Sequence, residues 1–357
     1  LVPGWDCHGL PIEWKIEEKY RKERKTKEEI DIQQFRNECR NFAEGWINIQ
    51  RAEFKRLGLL GDWDHPYITM EPEAEADIVT TFLTFLEKGS VYRGVKPVLW
   101  SVIEKTALAE AEVEYEDKSS SSIYVRFKIH PSTNAQFQEA SAVIWTTTPW
   151  SLPGNRAIAY HPDLEYVLLL VQKVEPNSFA IPQEKILIAK ELIEQVSSKL
   201  GIVSSEILAS FKGTTLEGMK ARHPFAEQGY EHDVLFLPGD HVTVDTGTGL
   251  VHTAPSHGIE DYELGKRYQL EVPETLLDDG TYASTVPLFA GDHVFKVDEK
   301  IIALLANNKA LAAKETIVHS SPHSWRSKAP LIYRTTPQWF ISMDANQLRS
   351  QAAQEID

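Results

Sequence analysis

The chain has 357 residues, of which 42% are hydrophobic and 25% are charged. This composition provides enough apolar side chains for sizeable cores, so it excludes a mainly disordered or fibrous chain, and the length suggests two or three domains. Acidic residues outnumber basic ones by 52 to 37, giving a net charge of −15, which excludes a uniformly basic nucleic-acid binder but not a local basic strip.

The cysteine count and the hydropathy indicate the compartment. Two cysteines, Cys7 and Cys39, argue against a disulfide framework and for a reducing environment. No apolar run approaches the ~18–20 residues that cross a bilayer, and the N-terminus has no signal-peptide pattern. We therefore expect a soluble, cytoplasmic, monomeric piece of a larger protein, without membrane contacts.

Two helices are predicted in the first quarter of the chain. The first ends near Leu57, where Gly58 can adopt the left-handed conformation, and its apolar face is Phe35, Cys39, Phe42, Trp46 and Ile49. The second begins at Pro72, ends before Gly89, and has an apolar face formed by Val79, Phe82, Leu83 and Leu86.

A change of pattern at residue 119 indicates a separate domain. Apolar residues at 123, 125, 127 and 129 alternate with polar ones, which predicts a half-buried strand. Further strands are predicted at 142–148, 166–171, 185–189 and 242–252, with helices at 190–200 and 298–306. Residues 119–316 are thus predicted to form a compact α+β domain inserted between two other parts.

The N-terminal segment Pro3–Glu13 combines turn-forming residues with Trp5, Asp6 and His8. Such a loop can hold a carboxylate beside an apolar pocket, where Asp6 would pair with the ammonium group of an amino acid. Alternatively, Asp6 caps the helix that follows.

The segment Val143–Asn155 contains three consecutive threonines, Thr146, Thr147 and Thr148, at the end of a predicted strand. Pro149 stops the strand, because proline cannot donate to the ladder. Hydroxyl groups at a strand end can hold a carbonyl, a ribose or a water, although threonine is also an ordinary strand residue.

The segment Asp245–Tyr262 places His252, His257 and Asp261 after two glycines. Three interpretations compete. Ser256, His257 and Asp261 could form a hydrolytic triad, or His252, His257 and Asp261 a metal site, but neither has the spacing typical of such sites. Alternatively, Asp261 lies in the first turn of a helix that begins near Ile259, where it can accept an ammonium group.

Together these segments closely resemble the bacterial isoleucyl-tRNA synthetases, a family of class I aminoacyl-tRNA synthetases. The resemblance also covers residues 58–67, 107–115 and 336–340, in order over nearly the whole chain. It implies an α/β chain in which part of a class I Rossmann-type catalytic fold is interrupted by an α+β, barrel-like editing domain.

The resemblance also implies a division into four parts. Residues 1–95 are expected to be the first-half Rossmann portion, 96–118 a degenerate zinc-ribbon-like stem, 119–316 the editing insertion, and 317–357 the return stem.

The family's functional residues fall on matching positions of this sequence. Asp6 is expected to hold the amino group of isoleucine. Gly4, Trp5, His8 and Trp150 are expected to complete the substrate contacts. The expected editing residues are Thr146, Thr147, Thr148, His252 and Asp261.

The implied activity of the whole enzyme is the ATP- and magnesium-dependent charging of tRNA(Ile) with isoleucine. This chain is expected to hydrolyse mischarged valyl-tRNA(Ile) without a cofactor. A second site is needed because one methylene contributes only ~1–3 kcal/mol of discrimination, a magnitude known for the isoleucine–valine pair itself.

Two departures from the family pattern bear on whether this chain uses ATP and binds zinc. The sequence contains neither a His-Ile-Gly-His-type nor a Lys-Met-Ser-Lys-Ser-type segment, so we expect no ATP–pyrophosphate exchange by this chain alone. Zinc-ribbon positions of relatives fall on Ser101, Glu104, Ser324 and Ser327, which provide no thiolate, so zinc is not expected.

Two other functions stay open from the sequence. The chain could be a catalytically silent module that binds the tRNA acceptor, or a metal-dependent hydrolase. Binding to tRNA is expected to be weak and salt-sensitive, with phosphate contacts from groups such as Arg326, Lys328 and Arg334.

Overall fold

The computed structural model describes residues 1–130 and 135–356. They form two compact units, a terminal unit (Leu1–Gly94 with Trp339–Asp357) and an inserted unit (Val95–Gln338). The four-part division of the chain stays a prediction.

The described residues form seven α-helices and fifteen strands. The helices are α1 (Leu10–Lys22), α2 (Ile32–Arg56), α3 (Pro72–Glu87), α4 (Ile193–Leu200), α5 (Ile259–Arg267), α6 (Asp298–Asn307) and α7 (Leu348–Gln354). The strands are β1 (Gly4–Trp5), β2 (Tyr67–Ile68), β3 (Val91–Ser101), β4 (Thr106–Ala107), β5 (Val113–Lys128), β6 (Ala140–Thr146), β7 (Ala157–Tyr160), β8 (Glu165–Val174), β9 (Lys185–Ala189), β10 (Ile202–Lys212), β11 (Lys220–Arg222), β12 (Asp233–Pro238), β13 (Leu250–Thr253), β14 (Leu311–Ser324) and β15 (Ile332–Ile341). No helix in the described part of the chain is long and apolar enough to cross a membrane.

In the terminal unit, the buried face of α2 differs from the predicted one. Phe35, Ala43 and Ile47 are buried, whereas Trp46 and Ile49 are exposed. Ala43 and Ile47 pack against the loop after β1, and Phe35 packs against α1. The buried residues of α2 are spaced by multiples of four along the helix. The predicted face used alternating spacings of four and three residues, which placed Trp46 and Ile49 on the wrong side of the helix.

Both predicted helix ends are confirmed, because Gly58 and Gly89 follow α2 and α3 with left-handed φ angles of 83° and 69°. The predicted apolar face of α3 is not buried: its four side chains are 38–56% exposed. Helical spacing places residues on one face, but only a neighbouring element can cover that face.

The inserted unit is built on a ten-stranded mixed sheet. Eight of its strands follow the order β10-β8-β9-β6-β13-β7-β12-β11, and β5 joins β14 to β6. One isolated bridge, Ile129 to Ala221, connects the end of β5 with β11. The barrel-like domain is therefore a large mixed sheet whose strand ladders do not close into a barrel within the described residues.

Most predicted elements of the inserted unit are confirmed, including β9 at 185–189, α6, and α4 after a 3₁₀ turn. The strand predicted at 242–252 is wrong over most of its length, because only Leu250–Thr253 is extended. Gly247 and Gly249 adopt left-handed φ angles of 81° and 75°, so the chain before β13 turns instead of continuing a ladder.

The half-buried strand predicted from residue 123 is buried on both faces. Arg126, expected to face solvent, is 5% exposed. Its guanidinium binds both carboxylate oxygens of Glu184, with Nε–Oε2 and Nη2–Oε1 distances of 2.6 and 2.9 Å. Because Glu184 binds the guanidinium through both carboxylate oxygens, Arg126 can be buried. The alternating pattern of the strand had predicted that this position faces solvent.

Candidate functional site

A cavity of about 260 Å³ lies in the inserted unit, where β6 ends and β13 begins. It brings together all five predicted editing residues: Thr146, Thr147, Thr148, His252 and Asp261. We call it the threonine cavity.

The cavity exists because two neighbouring strands diverge. β6 and β13 are parallel and pair at one position, Val251 with Trp145. Beyond Thr146 the chain enters the 3₁₀ turn Pro149–Gly154, which turns the threonines away from the ladder. Thr146 Oγ1 lies 3.2 Å from Thr148 Oγ1 and accepts a hydrogen bond from the Thr148 amide, so these two hydroxyls have a fixed arrangement.

A buried hydrogen-bond chain connects the threonines to His252. Asn155 Nδ2 donates to His252 Nδ1 over 2.7 Å, so the proton of the neutral ring is on Nε2. Nε2 in turn donates to Ser151 Oγ over 3.0 Å, and Ser151 Oγ lies 3.1 Å from Thr148 Oγ1. Sequence reasoning did not select Ser151 or Asn155, although both lie in the quoted segment Val143–Asn155.

His252 is a neutral group in this chain of contacts. Burial lowers its pKa to about 3, because an imidazolium would lose its hydration, and the neighbouring His257 lowers the pKa further. At neutral pH the ring can orient hydroxyl groups, but it does not supply a positive charge.

Asp261 lies in the first turn of α5, as predicted. Its Oδ2 accepts a hydrogen bond of 2.8 Å from the Ala254 amide. Burial nevertheless raises the pKa of the carboxyl group to about 7. A cationic ligand beside Asp261 would favour the ionised form, so the carboxyl group is suited to binding an ammonium group.

The triad interpretation does not fit the geometry. Ser256 Oγ donates to the Pro273 carbonyl, and His257 Nδ1 donates to the Tyr333 carbonyl over 3.0 Å. His257 Nε2 lies 2.6 Å from Thr275 Oγ1, so both ring nitrogens have structural partners. Among the residues that the structure describes, no three His, Cys, Asp or Glu side chains are grouped to hold a metal ion.

Trp150 lies outside the lining of the threonine cavity. Its ring packs edge-on against His257 with a centroid distance of 5.0 Å. Its carbonyl accepts a hydrogen bond from Tyr282 Oη. Substrate binding by Trp150 stays a prediction.

The opposite wall of the cavity is formed by the loop before β13. His241, Thr243 and Thr246 line it, and none of them was selected from the sequence. A Cβ atom on Gly247 would lie 3.4 Å from Trp145 Cε3, and one on Gly249 would lie 2.3 Å from Ala189 Cβ. These glycines therefore allow the main chain itself to form the wall.

We expect Gly249→Ala to destabilise the inserted unit by roughly 2–4 kcal/mol, because the new methyl group clashes with Ala189 and the left-handed conformation is strained. Gly218→Ala is the matched control, because Gly218 also has a positive φ, 73°, but no atom within 4 Å of its Cβ position. Urea unfolding of both variants measures the difference. Equal destabilisation would contradict the close approach at Gly249.

The N-terminal motif lies in the terminal unit. Gly4 and Trp5 form β1, which pairs in parallel with β2, and Trp5 Nε1 donates to Gln50 Oε1 over 2.8 Å. Asp6 does not cap α1, whose N-cap is Gly9; instead its Oδ1 accepts a hydrogen bond of 3.3 Å from Thr69.

A cavity of about 440 Å³ in the terminal unit is lined by His8 but not by Gly4, Trp5 or Asp6. His8 Nε2 lies 3.2 Å from Glu75 Oε1, which also binds Arg40. The substrate-binding roles of the four N-terminal residues stay predictions.

The four zinc-ribbon positions lie in two facing turns. Glu104 Oε1 accepts a hydrogen bond of 3.0 Å from Ser324 Oγ, and the Glu104 amide donates to Ser101 Oγ over 3.2 Å. The Ser327 amide donates to Ser324 Oγ over 3.3 Å. Three hydroxyls and one carboxylate do not fit a structural zinc site, which is built from thiolate and imidazole ligands.

The cations expected to contact phosphates have acidic partners. Arg334 is buried and lies 2.8 Å from Asp278, and Arg326 lies 3.7 Å from Glu112. Lys328 pairs with Glu114. Burial leaves little of Arg334 available to a phosphate, whereas phosphate contacts from Arg326 and Lys328 stay a prediction.

Comparison with known proteins gives two kinds of match. The family model of the class I tRNA synthetases (I, L, M and V) matches residues 1–357. The chain is 48% identical to the isoleucine–tRNA ligase of Pelagibacter ubique over 356 residues and also 48% identical to that of Gluconobacter oxydans over 370 residues. Both alignments cover 100% of this chain, which spans 39% and 38% of the two relatives.

Among solved structures, the editing domain of a cytosolic leucyl-tRNA synthetase from P. knowlesi is similar to this chain. The TM-score is 0.41 with 12% identity, over 57% of this chain and 97% of that one.

Proposed function

Because the chain belongs to the class I tRNA synthetase family, we propose that it is part of an isoleucine–tRNA ligase and hydrolyses valyl-tRNA(Ile). One observation supports this proposal above the others. A single cavity contains three threonines, a neutral imidazole and one carboxyl group with a raised pKa.

The proposed reaction is hydrolysis of the ester that joins valine to the terminal ribose. A water held by the hydroxyls of Thr146 and Thr148 attacks the ester carbonyl, and the ribose oxygen leaves with a proton. Asp261 binds the valine ammonium group, while cavity amides stabilise the developing oxyanion. His252 fixes the hydroxyl geometry through Ser151.

The specificity of the proposed reaction comes from the size of the cavity. A synthetic pocket cannot exclude valine by a clash, because valine is smaller than isoleucine. A hydrolytic cavity that rejects the extra methylene can make this distinction, so the two pockets together discriminate better than either alone.

In the whole protein, we propose that charging of tRNA(Ile) with isoleucine uses ATP and magnesium, which would activate the amino acid carboxylate. Asp6 would hold the amino group of isoleucine, and Gly4, Trp5 and His8 would complete the contacts. Trp150 is proposed separately as a substrate-binding residue of the inserted unit. The protein would act in the cytoplasm, where a reducing environment suits its two free cysteines, and it would act as a monomer. This sequence contains neither ATP signature segment.

Deacylation of valyl-tRNA(Ile) and isoleucyl-tRNA(Ile) at matched concentrations tests the proposal. We expect the valyl ester to be hydrolysed at least about 10-fold faster, since one methylene decides entry to the cavity. A chelator should leave the rate unchanged. Binding of tRNA without hydrolysis would instead support a silent module, and loss of activity with chelator would support a metal-dependent hydrolase.

A further inference from the structure

A second cavity of the inserted unit, of about 320 Å³, is rich in cationic and amide side chains. We call it the cationic cavity, defined by Lys128, Arg222, Asn307, Asn308 and Lys309. It belongs neither to the threonine cavity nor to any site assigned above.

The cations of this cavity are uncompensated, unlike Arg326, Lys328 and Arg334. Within the described residues, no carboxylate lies within 4.0 Å of the side-chain nitrogens of Lys128, Arg222 or Lys309. One acid, Glu227, also lines the cavity. The whole chain has a net charge of −15, but its composition does not exclude a local basic site. The cationic cavity is such a site.

Lys309 is held in place by the buried Arg126. Besides binding Glu184, Arg126 donates from Nη1 to the Lys309 carbonyl over 3.3 Å and from its backbone amide to the Ala310 carbonyl over 2.8 Å. Lys309 has a left-handed φ of 56°, a conformation in which glycine or asparagine would be less strained.

Lys128 and Arg222 are fixed by the strands that carry them. Lys128 is the last residue of β5, and Arg222 the last residue of β11. The bridge between Ile129 and Ala221 joins these two strand ends. The three cations therefore project from rigid backbone, which lowers the entropy cost of binding an anion.

The cationic cavity lies in the same sheet as the threonine cavity. Ile123 on β5 is paired with Thr146, and Lys128 lies five residues further along the strand. At about 3.3 Å per residue this separates the two positions by roughly 17 Å along β5. An RNA strand whose 3′ end enters the threonine cavity would be long enough to contact both.

We propose that the cationic cavity binds backbone phosphates of the tRNA whose ester the threonine cavity hydrolyses. Three cations and the Asn307 amide suit phosphate oxygens, which accept hydrogen bonds from both kinds of group, whereas the Asn308 amide already donates to the Pro224 carbonyl and to Gln228 Oε1. The contacts are to the backbone, so they position the tRNA without reading its sequence. This inference rests on the proposed function, because that function provides the RNA.

The test compares two triple variants of the full chain. Lys128→Gln/Arg222→Gln/Lys309→Gly removes the cavity's charges and relieves the left-handed strain. Lys173→Gln/Lys212→Gln/Lys296→Gln removes the same charge from exposed positions elsewhere in the inserted unit. Affinity for labelled tRNA(Ile) is measured between 50 and 200 mM salt, and hydrolysis is measured with valyl-tRNA and with a valine ester of adenosine, which has no phosphate.

We expect the cavity variant to bind tRNA about 10-fold more weakly at low salt, with a salt dependence reduced by two to three counterions. Its KM for valyl-tRNA should rise while kcat and hydrolysis of the adenosine ester stay unchanged. Lys309→Gly alone, which should fold well, should show a smaller change in the same direction.

Equal weakening in the control variant would overturn the proposal, and so would unchanged tRNA binding. Inorganic phosphate that binds the wild-type chain but not the cavity variant, without a change in tRNA affinity, would assign the cavity to a free phosphate ligand instead. If the wild-type chain hydrolyses neither ester, the proposed function fails, while the binding measurement still tests the cavity independently.

Discussion

Asp261→Asn is expected to reduce kcat/KM for valyl-tRNA hydrolysis by about 10- to 100-fold. The amide keeps the size of the side chain but loses the negative charge, and a charge-assisted hydrogen bond to an ammonium group contributes roughly 1.5–3 kcal/mol. Glu260→Gln is the matched control, since Glu260 is the adjacent acid in the same turn of α5 and is exposed. An equal loss in both variants would indicate a general charge effect instead of a specific contact.

The same variant should be more stable than the wild-type chain at pH 8. Burial raises the folded-state pKa of Asp261 to about 7, above its unfolded value of 3.8, so the folded state binds the proton more tightly. Its carboxyl group therefore contributes stability at low pH that is lost as pH rises from about 4 through 7. Asparagine has no charge to bury, so the gain, on the order of a few kcal/mol, should appear at pH 8 and vanish near pH 4. A variant less stable than wild type at pH 8 would contradict the raised pKa.

Arg126→Ala is expected to destabilise the inserted unit by about 3–5 kcal/mol, because it leaves the carboxylate of Glu184 buried without its partner. Glu184 is 11% exposed, and the lost guanidinium also binds the carbonyl of Phe179 over 2.7 Å. Urea unfolding measures this loss.

The double variant Arg126→Met/Glu184→Leu is expected to recover much of the stability, since two apolar side chains of similar size need no pairing. Lys173→Ala, an exposed change on β8, should have an effect within about 0.5 kcal/mol. If Arg126→Ala is as mild as Lys173→Ala, the buried pair is not important for folding.

The sequence predicted well those features that depend on neighbouring residues in the chain. The left-handed glycines after α2 and α3, the strand β9 and the start of α5 near Ile259 follow from local patterns. The predicted editing residues also share one cavity, because the resemblance to a known family carried spatial information that spacing alone does not contain.

Features that depend on distant partners were not predictable. Arg126 is buried only because Glu184, 58 residues later, reaches it. Asn155 and Ser151 position His252 across about 100 residues of chain, as their separations of 97 and 101 residues show. Arg334, named from the sequence as a possible phosphate contact, is likewise buried beside Asp278, 56 residues earlier in the chain.

Under the proposed function, Gly247 in the wall of the threonine cavity limits how the selectivity of the cavity can evolve. Gly247 already has the smallest side chain, and a Cβ atom there would approach Trp145 of β6, so no point mutation at this position can widen the space between the loop and β6. Substitution there can only narrow the cavity. Under the proposed function, acceptance of a bulkier amino acid would have to arise from the threonine side or from replacement of the whole loop.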